Sequence, residues 1–276
     1  MNIHSRVHFY ICKDDTSRHV ITTSNLFTNA GIYDWLRGSL GSRLAIGEGT
    51  RAEVPEVSQL DNLVQSAGGS YTVVDSNNYD AAAGTVTSTI QLDVLFPIQS
   101  EANNYTEFGI FDTSVDRLQT YALIRGPHGD PVVLTAVPGE RIRVLYEINF
   151  VVPASTVIDT VIAEVPTRVT QVVLNNTGSS SRRLPETVGY LRTVPMPNPP
   201  APLQPIGNLV GRTTGNYVED TLSIEFEPSA GNSAEGISVV TAGEGLQIAW
   251  HFDPPVQKGN KTFKFNYTHN LGGADA

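Results

Sequence analysis

Few side chains in this sequence stand at the spacing that chemistry requires. A serine nucleophile elbow needs G-x-S-x-G, and Gly231-Asn-Ser233-Ala-Glu-Gly236 has one residue too many for that tight turn. Gly47-Glu-Gly49-Thr50 opens like a phosphate loop, but neither G-x-x-x-x-G-K-[ST] nor a full G-x-G-x-x-G follows. Glu53 and Glu56 come next, and carboxylates there would repel phosphate. His4 and His8 are four apart, but residues 6–12 read as a strand. Along a strand that spacing separates two ligands by ~13 Å, whereas on a helix it would put them on one face. Asp14-Asp15 and Asp112…Asp116 lack the glycine and terminal glutamate of a calcium loop, and read as turn residues. No two carboxylates are singled out to face each other for glycoside hydrolysis. Sequons at Asn104, Asn175, Asn260 and Asn266 matter only in a secretory pathway. The expectation is a non-enzymatic chain with no catalytic, cofactor-binding or metal-ligating residues.

Composition bounds the alternatives. The chain has 276 residues, 40% hydrophobic and 17% charged, with 24 Gly and 17 Pro. That mix suits an all-β protein with many turns, and the length is ample for a core without disulfides. Net charge is −10, and Arg182-Arg183 is the densest basic pair. Nucleic-acid binding needs clustered cations to displace phosphate counterions, so it is not expected. Cys12 is the single cysteine, which rules out an intrachain disulfide, and a lone cysteine in a strand reads as a small buried residue. The opening, MNIHSRVHFYICKDD, lacks the charged and apolar regions of a signal peptide. No stretch approaches ~18 apolar residues, so no membrane span is expected.

Alternation with period two dominates. Val86, Ile90, Leu92, Val94 and Phe96 face one way; Thr87, Thr89, Gln91 and Asp93 face the other, and Pro97 ends the run. Ile142, Val144, Tyr146, Ile148 and Phe150 alternate with Arg141, Arg143, Glu147 and Asn149. Near the end, Leu246, Ile248, Trp250 and Phe252 form one set, and Phe263, Phe265 and Tyr267 another. These aromatics could line a sugar platform, but their spacing favours a core face. Shorter strands are expected at 6–12, 43–47, 71–75, 107–111, 118–124, 131–136, 168–174 and 220–227. The fold class is therefore all-β, with β-sandwich-like antiparallel sheets, and one short N-terminal α-helix. Leu26, Ala30, Tyr33, Leu36 and Leu40 fall at helical spacing after Thr22-Thr23-Ser24, which offer cap oxygens; the helix is placed at 25–37. Residues 195–205 hold six prolines in eleven positions, which favours an extended arm. The expected domains are a β-rich one over 1–153, an extended connection over 154–205 carrying the arm, and a C-terminal β domain over 206–276.

Two stretches carry a resemblance. Leu44-Ala-Ile-Gly-Glu-Gly-Thr50, with Pro55 and Leu60-Asp-Asn-Leu63, resembles the opening of phage tail-collar and tail-fibre attachment domains. Tyr105-Thr-Glu-Phe-Gly-Ile-Phe-Asp112, followed by Leu118-Gln-Thr-Tyr-Ala-Leu-Ile124, resembles a later segment of the same domains. The segment 139–151 is similar to their long strand after a polar turn. The likeness spans roughly 20–152, about half the chain. It implies a structural protein of a tailed bacteriophage virion, from the tail, collar or neck, or fibre attachment, made in the host bacterial cytoplasm. It implies homo-oligomers with rotational symmetry and contacts with neighbouring tail, neck or head proteins. It supplies no catalytic residues: Gly47 and Gly49 fit a tight turn and Gly109 a close backbone approach. About 120 residues follow, without heptads or triple-stranded repeats, so an adaptor, collar component, short fibre or decoration protein fits better than a fibre shaft. The alternative is a receptor- or glycan-binding β-sandwich module, which predicts exposed loop aromatics. A polysaccharide depolymerase would need an acidic pair or nucleophile that the sequence does not contain.

Overall fold

The computed structural model describes residues 2–29, 31, 34, 41–112, 117–174, 188–192, 209–218, 221–230, 237–242 and 247–268. Among these the chain is nearly all β and antiparallel. The first half contributes β1 (Asn2–Lys13), β2 (Thr16–Thr23), β3 (Leu26–Phe27), β4 (Arg43–Gly47), β5 (Leu63–Asp80), β6 (Thr85–Leu95), β7 (Asn103–Tyr105), β8 (Glu107–Asp112), β9 (Arg117–Leu118), β10 (Thr120–Leu123), β11 (Leu134–Ala136) and β12 (Arg141–Pro153). The second contributes β13 (Ser155–Ile162), β14 (Val165–Leu174), β15 (Val188–Arg192), β16 (Leu209–Val218), β17 (Thr221–Phe226), β18 (Ile237–Ala242), β19 (Gln247–Val256) and β20 (Phe263–Thr268).

The larger sheet runs β2-β1-β12-β6-β5-β4-β8-β10-β3, with β9 on β8; β7 and β11 form a small separate pair. β12 is its axis, laddered to β1 from Asn2↔Val151 to Cys12↔Arg141 and to β6 on the other side. Period two explains this position. Ile142, Val144, Tyr146 and Ile148 are fully buried, as are Val86, Leu92 and Val94 on β6. Register aligns these residues in rows: Val7, Tyr146, Leu92 and Tyr71 in one, Phe9, Val144 and Val94 in the next. Burying each such side chain is worth about 1.5–3 kcal/mol. The opposite face carries polar rungs, with Thr89 donating to Asn149 (2.7 Å), Gln91 to Glu147 (3.1 Å) and Arg143 pairing with Asp93 (2.6 Å).

The sheet curls until its two ends share one core. Phe9 on β1 and Phe108 on β8 meet edge to face at 5.2 Å, although four strands lie between them in the sheet. Tyr146 is buried near that closure, and burial raises its phenol pKa. Its hydroxyl sits among Ser5, Asn25 and Thr120 without a well-formed bond to any of them. Removing the hydroxyl therefore strands no partner. Tyr146→Phe is expected to change the unfolding free energy by less than about 1 kcal/mol; a larger loss in a denaturant titration would mean that this hydroxyl is bonded.

The second sheet runs β13-β14-β19-β18-β15-β16-β17-β20 and curls in the same way. Trp250 on β19 stacks against Phe265 and Tyr267 on β20 at 4.7 and 4.8 Å, again across four intervening strands. Trp250 and Phe252 are buried, as their spacing predicts. Ala249, on the alternate face, is buried as well. Among the described residues no strand pairing joins 2–153 to 155–268. Ala154 marks the passage between the sheets and donates its N–H to Gly84 O (2.8 Å).

The N-terminal helix needs correction. Leu26–Phe27 pair with Tyr121 and Thr120 as a strand, because Phe27 can then enter the core while its backbone stays bonded. Asn29, Gly31 and Asp34 have helical backbone, but the rest of 30–40 lies outside the described residues, and no helix is delineated over 25–37. The cap-like hydroxyl is Thr28, which accepts from Gly31 N (2.9 Å), rather than Thr22, Thr23 or Ser24. Ser155–Ile162, Val165–Leu174 and Val188–Arg192 are strands of the same sheet as β16 to β20, where an extended connection over 154–205 was expected. The Pro-rich arm, 195–205, lies outside the described residues.

Candidate functional site

The residues that carry the resemblance meet at one buried carboxylate. β8 begins with Glu107, which is fully buried. Its Oε1 accepts from Asn62 N (2.9 Å) and its Oε2 from Asp61 N (3.1 Å). An anion bonded by backbone N–H groups is a strong, charge-assisted arrangement, and it offsets the cost of desolvating the carboxylate. The space for it comes from the two glycines. A Cβ on Gly49 would sit 2.3 Å from the Glu107 carboxyl carbon, and one on Gly47 would be 2.8 Å from Oε1. Neither glycine has positive φ, so their role is close approach and not the freedom of a tight turn: Gly49 leaves room for the carboxylate, and Gly47 chiefly for Asn62 O, 2.3 Å from where its Cβ would sit.

Neighbouring groups close the loop over this centre. Thr106 Oγ1 accepts from Gly49 N (2.8 Å) and donates to Gly49 O (2.7 Å). Glu48 N donates to Asn62 O (2.9 Å). The Tyr121 hydroxyl donates to Arg51 O (3.1 Å), and burial followed by the Glu107 charge pushes its pKa up. Arg51 pairs with Asp61 at 2.7 Å. A second carboxylate, Glu53, accepts from Leu123 N (2.9 Å) and pairs with Arg125, whose guanidinium it holds protonated. A third, Asp34, is buried against Arg117 and accepts from Gln119 Nε2 (3.2 Å). Gly109 lets β8 lie against β10: a Cβ there would be 2.0 Å from Thr120 O. Both carboxylate oxygens of Glu107 accept from backbone N–H groups of the 47–62 loop, so the arrangement fixes that loop to the strand ends.

Other candidates disperse. His8 shares Thr22 Oγ1 with His19, each at 2.9 Å, and approaches Glu147 at 3.7 Å. His4 lies further along β1 opposite Asn149 and is exposed. Among the described residues no three His, Cys, Asp or Glu side chains are grouped to hold a metal. Asp14 and Asp15 make the β1–β2 turn, with Asp14 at φ 51°. Ser233, Asp116 and Arg182-Arg183 lie outside the described residues. Cys12 is half-exposed, not buried, because Phe9 and Ile11 take the inward positions and send Tyr10 and Cys12 outward. It lines a broad groove of about 1030 Å³ on the polar face of the first sheet, with Asp14, Ser70, Arg141 and the Asp93–Arg143 pair. Sequence reasoning did not find this groove, because its lining comes from four separate segments.

Comparison with known protein families, with curated proteins and with solved structures finds no match to this chain.

Proposed function

We propose that this chain is a non-enzymatic structural protein of a tailed bacteriophage virion, a tail, collar, neck or fibre-attachment component that acts by protein–protein assembly. In this reading each curled sheet serves as a rigid β-sandwich-like body, and its partners are further copies and neighbouring virion proteins. One observation carries the proposal. The short motifs that resemble tail-collar and fibre-attachment domains, Gly47-Glu-Gly49, Leu60-Asp-Asn62 and Glu107-Phe-Gly109, are far apart in sequence yet interlock around a single carboxylate. A pattern with a shared packing reason is stronger support than the same letters scattered over a surface.

The test uses an antibody against the recombinant chain on particles banded in a density gradient from a phage lysate of cells carrying the gene. The expected result is the chain in the particle band, at a fixed ratio to the major shell protein. A chain found only in the free protein at the top of the gradient would overturn the proposal.

A second reading, a receptor- or glycan-binding module, is favoured by the groove. Its hydroxyl, guanidinium and carboxylate lining suits a hydroxyl-rich ligand. Gly68 lines it, and a Cβ there would meet nothing within 4 Å. Gly68→Trp should therefore fill the groove without disturbing the sheet. On this reading the wild-type chain binds members of a glycan array, and the variant loses at least about tenfold in affinity, roughly 1.4 kcal/mol. An array on which the wild-type chain binds nothing would remove this reading.

A further inference from the structure

Two histidines from different strands meet on the outer face of the β1–β2 hairpin. In register His8 stands opposite Thr22 and Tyr10 opposite His19. Strict alternation from Thr22 would turn His19 toward the core face. Val20 is the extra residue of a β-bulge between the Phe9 and Tyr10 rungs, and it returns His19 to the outer face. Both rings then point at one atom: His8 Nδ1 and His19 Nε2 each lie 2.9 Å from Thr22 Oγ1. A hydroxyl has one proton, so it can donate to only one of them. Neighbouring donors around a zinc-class cation, each ~2.1 Å from it, are roughly 3 Å apart, and two imidazoles on it have centroids roughly 5–6 Å apart. The oxygen–nitrogen distances of 2.9 Å and the ring separation of 5.9 Å match that arrangement.

The far side of His8 is equally suited. Its Nε2 faces Glu147 Oε2 at 3.7 Å, and Gln91 Nε2 holds the other carboxylate oxygen at 3.1 Å. A carboxylate beside the outer nitrogen of a histidine keeps the proton there and leaves the inner lone pair for a metal. Tyr10 packs edge-on against His19 at 5.3 Å and orients its ring. The nearby Arg143, opposite Tyr10 on β12, is taken up by Asp93 at 2.6 Å. His19 is exposed and His8 partly buried, so an ion can enter and keep water ligands.

We propose that His8 and His19 bind one transition-metal dication of the zinc class through Nδ1 and Nε2. Thr22 Oγ1 stands beside them as a weak third donor, and water completes the shell. Imidazole nitrogens select such ions over calcium and magnesium, which take oxygen ligands. Glu147 is a positioning residue: it orients His8 and does not touch the ion. The bound ion ties β2, the outermost strand of the larger sheet, to its neighbour β1. The site is independent of whether the chain is a virion component.

The experiment is calorimetric titration of the untagged full chain with Zn2+. Two protein ligands in place of four give about half the binding free energy of a structural zinc site, so a dissociation constant on the order of 10 μM is expected, at one ion per chain. His8→Ala and His19→Ala should each weaken binding at least about tenfold. Glu147→Gln should weaken it about tenfold, as removal of such a carboxylate does. His4→Ala, further along β1, should leave it unchanged. In the wild-type protein the imidazole NMR signals of His8 and His19 should shift together and saturate, while those of His4 and His128 stay in place. That readout needs no variant. The absence of saturable binding below about 1 mM Zn2+ would overturn the proposal. So would binding that survives both His8→Ala and His19→Ala, or that shifts His4 or His128 in place of the pair.

Discussion

Glu107→Gln should be among the most damaging single-atom changes available to this protein. The carboxylate uses one oxygen for Asn62 N and the other for Asp61 N. A glutamine offers one acceptor, and its NH2 then faces a backbone donor with no solvent to relieve it. Loss of a charge-assisted bond together with a stranded buried donor costs about 3 kcal/mol. For a chain of this size that corresponds to a fall of roughly 6–12 °C in the melting midpoint. Gly49→Ala should destabilise for the reciprocal reason, since its Cβ would lie 2.3 Å from the same carboxyl carbon. In the double variant Gly49→Ala with Glu107→Ala the clash disappears. The two losses should then be less than additive by at least about 1 kcal/mol, as residues in direct contact are. Calorimetry of the wild type, Glu107→Gln, Gly49→Ala, Glu107→Ala and the double variant decides the matter. Strict additivity, or a wild-type midpoint for Glu107→Gln, would mean that the carboxylate does not organise this loop.

Gly109→Ala is expected to be more severe than Glu107→Gln. The added Cβ would lie 2.0 Å from Thr120 O and 2.7 Å from Leu118 Cδ1. Thr120 cannot withdraw, because the segment is held on both sides. Gln119 N donates to Ile110 O (2.8 Å), Ile110 N donates to Thr120 Oγ1 (2.8 Å), and Ala122 pairs with Phe108. A clash between two backbones cannot be relieved by a rotamer change, so the cost should exceed about 4 kcal/mol. The measurement is the denaturant midpoint, or the soluble yield where the variant does not fold. A midpoint within 0.5 M of wild type, a change of ~1 kcal/mol at the usual urea slopes, would be incompatible with the approach of β8 to β10 described above.

The sequence made β6 and β12 legible because each buries one face and solvates the other, so periodicity alone places Leu92 and Tyr146 inward. Pro97 made the end of β6 legible through its missing donor. β2 and β13 were not legible for the opposite reason: an edge strand wet on both faces has no alternation, and Thr16-Ser-Arg-His-Val-Ile-Thr-Thr23 reads as irregular polar chain. Leu26 satisfied a helical pattern as well as a strand, and the choice was made by the pairing of Leu26 and Phe27 with Tyr121 and Thr120, nearly a hundred residues away. At the candidate site the glycines were visible but their reason was not. A pair of glycines near a loop suggests conformational freedom; here Gly49 leaves volume for the side chain of Glu107 and Gly47 for the backbone of Asn62. Glu107 itself was quoted in the motif without a role, since its partners Asp61 and Asn62 are 46 and 45 residues distant.

The ladder from Asn2↔Val151 to Cys12↔Arg141 also governs when the first half of the protein can form. The first strand made is completed by one of the last of its sheet. At ribosomal rates of about 5–20 residues per second, roughly 7–30 s separate the synthesis of residue 2 from that of residue 151. Throughout that interval β1 has only the β2 hairpin for company, with Val7, Phe9 and Ile11 uncovered. The nascent chain thus passes through a stage in which the apolar face of its first strand is sticky and its proper partner does not yet exist. The charged and hydroxyl-rich sequence of β2, unremarkable in the finished fold, is then the one shield available to it.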